Sequence, residues 1–137
     1  MAIRNDIYTL YKGKECRIGR VDGHYEIVSY EAESLDMGFT EYKPEKNLNP
    51  RIFFKIVSPE EVGEVYDIGT FAIYRGYEFW IELEWPDEYV LLGNNNLVLM
   101  NKLQFKRVDK FEYKKIVKKE DVDLVYEKKE LITDFFD

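Results

Sequence analysis

Tyr11-Lys-Gly-Lys-Glu-Cys-Arg-Ile18 returns 63 residues later as Tyr74-Arg-Gly-Tyr-Glu-Phe-Trp-Ile81, with Tyr, Gly, Glu and Ile identical and Lys12/Arg75 conservative. A second block, Lys55-Ile-Val-Ser-Pro-Glu-Glu-Val-Gly-Glu-Val-Tyr66, returns 60 residues later as Lys115-Ile-Val-Lys-Lys-Glu-Asp-Val-Asp-Leu-Val-Tyr126, identical at seven of twelve positions. Chance matching at ordinary composition gives about one. The blocks keep their order and nearly their offset, which is the mark of a duplicated structural unit. They predict two copies, residues 1–68 and 69–137, packed together, with a boundary near Asp67 to Thr70 where Gly69 offers a turn.

Working outward, each copy reads as a β-meander closed by a short helical turn. Gly13 and Gly76 sit between extended runs and supply the positive φ of a hairpin turn. Asp22-Gly23 marks the next hairpin of the first copy. In the second copy Tyr77 to Trp85 alternates, with Phe79, Ile81, Leu83 and Trp85 on one face and Glu78, Trp80, Glu82 and Glu84 on the other, the pattern of a half-buried strand. Trp85-Pro-Asp-Glu88 and Asn94-Asn-Asn96 are turns, and Leu97 to Met100 reads as a further strand. Arg51 to Val57 is a strand by β-branched and aromatic content. Lys43 to Pro50 is a loop by its Pro and Asn content. Ser58-Pro-Glu-Glu61 opens a helix, with Ser as N-cap, Pro at the first position and Glu three after the Ser. Val62, Val65 and Tyr66 then share a helix face, as do Val122, Val125 and Tyr126, although Lys118-Lys119 gives no equivalent cap.

The fold class is therefore mainly β. Five short strands and a helical turn in about 60 residues resemble the SH3-like barrel, which implies two tandem barrel or meander units. A two-layer sandwich built jointly by both halves is the rival arrangement.

Of the 137 residues, 45% are hydrophobic and 16% aromatic, ample to build a core and contrary to disorder. A net charge of −7 disfavours nucleic-acid and anionic-membrane binding and suits a cationic protein partner. A single cysteine, Cys16, forbids an internal disulfide. No apolar leader or 18-residue apolar stretch occurs, which predicts the cytoplasm.

The residue kit for chemistry is sparse. His24 and Cys16 cannot make a zinc site, and neither a calcium-loop register nor a Gly-rich phosphate loop is present. His24 with Cys16, Ser29 or Ser34 would be the only nucleophilic combination, and His24 sits in a hairpin turn. No cofactor, metal or enzymatic activity is expected.

Charge distribution is more informative. Val21 to Tyr42 holds six carboxylates and no Lys or Arg, and Glu78 to Glu88 holds five and none. Lys102 to Lys119 holds eight basic residues against Asp109 and Glu112. Two readings stand: basic and acidic strands pair as neighbours, or the first hairpin of each copy forms an acidic face. Trp80, on the Glu-rich face and with Arg17 as its counterpart in the first copy, is either a binding hot spot or the filling between units.

The whole profile (short, acidic, aromatic, without catalytic motifs) resembles bacterial immunity proteins of toxin systems. That resemblance implies a non-enzymatic protein that binds and neutralises a toxin, such as a nuclease with a cationic cleft. Its candidate contacts are Glu31, Glu33, Asp36, Glu78, Trp80, Glu82 and Glu84. The alternative is an SH3-like peptide-binding adaptor, with Tyr8, Tyr11, Tyr74 and Tyr77 lining an aromatic groove.

Overall fold

Two-residue turns organise the chain. Lys12-Gly13, Asp22-Gly23 and Arg75-Gly76 all hold both central residues at positive φ (48° and 80°, 49° and 83°, 51° and 84°). This turn matches the natural twist of paired strands. The computed structural model describes residues 2–137; Met1 lies outside the described residues. The elements are β1 (Asp6–Tyr11), β2 (Lys14–Val21), β3 (His24–Ser29), β4 (Thr40–Glu41), β5 (Phe53–Val57), β6 (Val65–Tyr74), β7 (Tyr77–Glu84), β8 (Glu88–Leu92), α1 (Leu97–Lys102), β9 (Lys106–Asp109), β10 (Glu112–Lys118) and β11 (Leu124–Ile132). Single 3-10 turns occupy Ala32–Met37, Pro44–Lys46, Pro59–Glu61 and Lys119–Asp121.

The architecture is mainly β. The strands hydrogen-bond as one eleven-stranded antiparallel sheet in the order β4-β5-β3-β2-β1-β6-β7-β8-β10-β9, with β11 on β6.

The chain divides into two compact units. The first comprises Asp6–Asp67 and Glu130–Asp137; the second comprises residues 2–5 and Ile68–Lys129. Residues 2–5 thus group with Ile68–Lys129, and Glu130–Asp137 with Asp6–Asp67. The expected turn at Gly69 is absent, because β6 runs unbroken through it. Gly69 is an extended strand residue, and alternation of buried side chains along Ile68, Thr70, Ala72 and Tyr74 continues across it.

In the first unit the core is Tyr11, Cys16, Ile18, Ile27, Phe39, Phe53, Val57 and Val65, with Ile132, Phe135 and Phe136 of the C-terminal segment packed against it. Tyr25 holds that segment: its ring meets Phe136 edge-on at 4.8 Å and its hydroxyl donates to the Phe136 carbonyl at 3.3 Å. In the second unit Phe79, Ile81, Leu91, Met100, Phe105 and Val117 lead the core, with Phe79 and Phe105 rings 4.7 Å apart. Full burial of side chains this size stabilises by about 1.5–3 kcal/mol each.

Three local expectations are corrected. Leu97 to Met100 is helical, not extended: Asn96 caps α1 by accepting from the Leu99 N–H at 3.1 Å. Leu99, Met100 and Leu103 then turn inward while Leu97 and Val98 stay exposed, a helical and not a strand periodicity. Ser58 and Glu61 do pair, with the Glu61 carboxylate accepting from the Ser58 N–H at 2.9 Å, but the helix is a single 3-10 turn. Val65 and Tyr66 therefore belong to β6, and Val125 and Tyr126 to β11. Lastly, the alternation of β7 breaks after Ile81.

Candidate protein-binding surface

The two units differ sharply in charge. The first carries 16 Asp and Glu against 8 Lys and Arg, a side-chain net of −8; the second carries 11 against 12, a net of +1. The acidity of the whole chain is the acidity of the first unit.

Within that unit, Glu31, Glu33 and Asp36 are displayed by the Ala32–Met37 turn. Buried Ser34 donates through Oγ to Ser29 Oγ at 2.7 Å, and the Phe39 N–H donates to the Ser34 carbonyl at 3.2 Å. Phe39 is thereby drawn into the core against Tyr11, and Glu31, Glu33, Leu35 and Asp36 stay outside. Glu31 pairs with Lys14. Glu33 and Asp36 have no ion-pair partner among the described residues.

In the second unit Trp80 lies in a row that crosses the outer sheet face. It pairs with Phe71 on β6 and Leu92 on β8, and Leu92 pairs with Lys114 on β10. Trp80 is 43% exposed, yet its Nε1 donates to Asn5 Oδ1 at 2.7 Å. The Thr70 N–H donates to the same oxygen at 2.8 Å, and Asn5 Nδ2 donates to the Ile81 carbonyl at 2.7 Å. Arg4 bridges Thr70 from the other side of the peptide, its N–H donating to Thr70 Oγ1 at 2.9 Å. An exposed indole held this firmly is ready for contact before any partner arrives.

The carboxylates around Trp80 are not free. Glu78 accepts from Lys128 Nζ at 2.6 Å and from the Tyr126 hydroxyl. Glu82 accepts from Lys114 Nζ at 2.7 Å, and Glu84 from Lys119 Nζ at 2.7 Å and the Ile3 N–H at 3.1 Å. The Lys119 hydrogen bond holds the Glu84 carboxyl below the usual value, against an opposing contribution from desolvation and with the Ile3 N–H reinforcing it. These exposed pairs neutralise the face while adding little stability.

A β-bulge then redirects β7. Ile81 pairs with Leu91 and Leu83 with Val90, leaving Glu82 as the extra residue. An extra residue shifts the two-residue alternation by one, so Leu83 turns outward where strict alternation would bury it. Leu83 is 47% exposed and Ile116, across β8 from it, 52%. With Trp85, Val90 and Val108 they line an apolar groove of about 490 Å³.

The sequence-derived candidates thus separate. Glu78, Trp80 and Glu82 come together on the outer face of the second unit. Glu84 lies past the bulge and holds the N-terminal segment. Glu31, Glu33 and Asp36 belong to the first unit. The missed residues are Leu83, Trp85, Val108 and Ile116, because nothing in the sequence marks the bulge, and Phe111, 88% exposed at the β9–β10 turn. The proposed tyrosine groove is corrected, since Tyr11 and Tyr74 are core residues at 4% exposure. His24 lies 3.4 Å from Glu26 at the start of β3, whereas Cys16 is buried opposite Thr9. Among the described residues no cluster of His, Cys, Asp and Glu is placed to hold a metal ion. No helix among them is long and apolar enough to cross a membrane.

The model of one protein family, described as Uncharacterised conserved protein UCP033725, matches residues 3–134. No curated protein and no solved structure matches the chain.

Proposed function

The chain belongs to that family, and we propose that it is a non-enzymatic protein-binding module, an immunity-type inhibitor that covers a cognate toxin in the cytoplasm. The observation that carries this reading is the exposed Trp80, fixed by Asn5 between Phe71 and Leu92 on an outer face whose carboxylates are paired with lysines. Tryptophan is among the side chains enriched at the energetic centres of protein interfaces. The division of charge supports it further. A unit of net −8, with Glu33 and Asp36 outside any ion pair among the described residues, accelerates encounter with a cationic partner, and Trp80 on the second unit supplies affinity through contact.

We read each unit as a copy of one SH3-like design. The shared strand order supports this, since β4-β5-β3-β2-β1 in one has the same sequence of pairings as β9-β10-β8-β7-β6 in the other. The same two-residue turn, Lys12-Gly13 and Arg75-Gly76, opens both.

The test is protection. Co-expression with the product of the adjacent reading frame should relieve that product's growth arrest. Trp80→Ala should abolish relief, and Glu33→Lys with Asp36→Lys should slow association, most strongly at low salt. Absence of both protection and complex formation with the wild-type chain would refute the inhibitor reading.

A further inference from the structure

We propose that the groove beyond the β7 bulge binds an acidic segment of a partner protein and seats a bulky apolar side chain between Leu83, Trp85, Val108 and Ile116. The inference rests on the protein-binding reading and names what the second unit would recognise.

The groove is apolar on its floor and basic on its rim. Val90 is buried between Leu83 and Ile116 in one cross-strand row, and the charged residues around them are Glu82, Lys106, Lys114 and Lys115. Glu82 is already taken by Lys114. Lys115 Nζ donates to the Leu103 carbonyl at 2.6 Å, and neither Lys115 nor Lys106 has a carboxylate within ion-pair distance among the described residues. Each of these cations can therefore take a carboxylate from outside without losing one inside. A ligand with apolar and acidic side chains would satisfy both parts of the groove, and a basic ligand would satisfy one and be repelled by the other.

The same charges speak against a second copy as occupant. In a two-fold contact each residue patch meets itself, so Lys106 and Lys115 would face Lys106 and Lys115. β9 ends the strand order and is fully exposed, but its Lys106-Arg107 edge discourages pairing with an identical strand.

The experiment pans a phage library of random twelve-residue peptides on the immobilised full chain, then measures synthetic versions by fluorescence anisotropy. Enriched sequences should combine aromatic or branched aliphatic residues with Asp and Glu. Ile116→Ser and Lys106→Glu, both at exposed positions, should each weaken binding at least tenfold, and Val98→Ser, exposed on α1 outside the groove, should leave it within twofold. No enrichment, enrichment of Lys- and Arg-rich peptides, or binding indifferent to both groove variants would overturn the proposal. So would a concentration-dependent dimer that Ile116→Ser dissolves, since a second copy would then be the occupant. Protection lost with Trp80→Ala but kept with Ile116→Ser would sink the groove and leave the inhibitor reading standing. Acidic-peptide binding without protection would do the reverse.

Discussion

Trp80 Nε1 donates to Asn5 Oδ1 at 2.7 Å across 75 residues of sequence, so the exposed indole of the second unit is oriented by the N-terminal segment. Asn5 serves three groups at once: Trp80, the Thr70 N–H and the Ile81 carbonyl.

Asn5→Ala should therefore cost about 1–3 kcal/mol, because it leaves the part-buried Thr70 and Ile81 backbone groups without partners. Urea denaturation measures the loss, and Trp80 emission should shift as the indole is released. An unchanged midpoint would show that Asn5 does not hold the strand.

The bulge makes a paired prediction on one strand. Ile81→Ala should destabilise by about 2–5 kcal/mol, since Ile81 is fully buried. Leu83→Ala, two residues on, should change stability by less than about 1 kcal/mol. Strict alternation would make the two equally costly, so comparable losses would rule out the bulge.

Gly93 has no room for a side chain. A Cβ there would stand 2.4 Å from Met100 Sδ and 2.8 Å from Tyr113 Cβ. The thioether is flexible and the strand position is not, so Gly93→Ala should cost about 1–3 kcal/mol. A thermal melt equal to the wild type would contradict the close approach of β8 to α1.

Acid should loosen the hold of Glu84 on the N-terminal segment. The folded carboxyl of Glu84 lies below its ordinary value of 4.5, so its contribution is complete above that pH and is lost as pH falls through the lower folded value. Glu84→Gln should accordingly flatten the pH dependence of stability below about pH 4.5, where denaturation midpoints of the two proteins converge. Parallel acid limbs would mean that the Lys119 and Ile3 contacts contribute nothing.

Cys16 reports on the first unit. Burial pushes its thiol above the ordinary value, with Lys14 opposing and Glu31 and Glu15 reinforcing. Its reaction with a disulfide reagent should be at least a hundredfold slower in the native protein than in urea. Rapid native labelling would show that the first core opens readily.

Hairpin turns, strand content and the outward position of Trp80 were legible because they are local. A Lys-Gly or Arg-Gly turn needs two positive-φ residues in succession, and period-two alternation declares a strand face wherever it is unbroken. The acidic face was only half legible. Glu78, Glu82 and Glu84 look unopposed along β7, and the lysines that neutralise them, Lys128, Lys114 and Lys119, lie 32 to 50 residues away in the chain.

The sequence by itself determined a β-rich chain with two matching segments, its turns, and the uneven spread of acidic and basic residues. Only the tertiary structure decided which carboxylates remain free, where the chain ends pack, and that Leu83 faces out to build the groove. Those outcomes depend on pairing register between distant strands, and a one-residue bulge changes the facing of a side chain without leaving any mark in the local pattern.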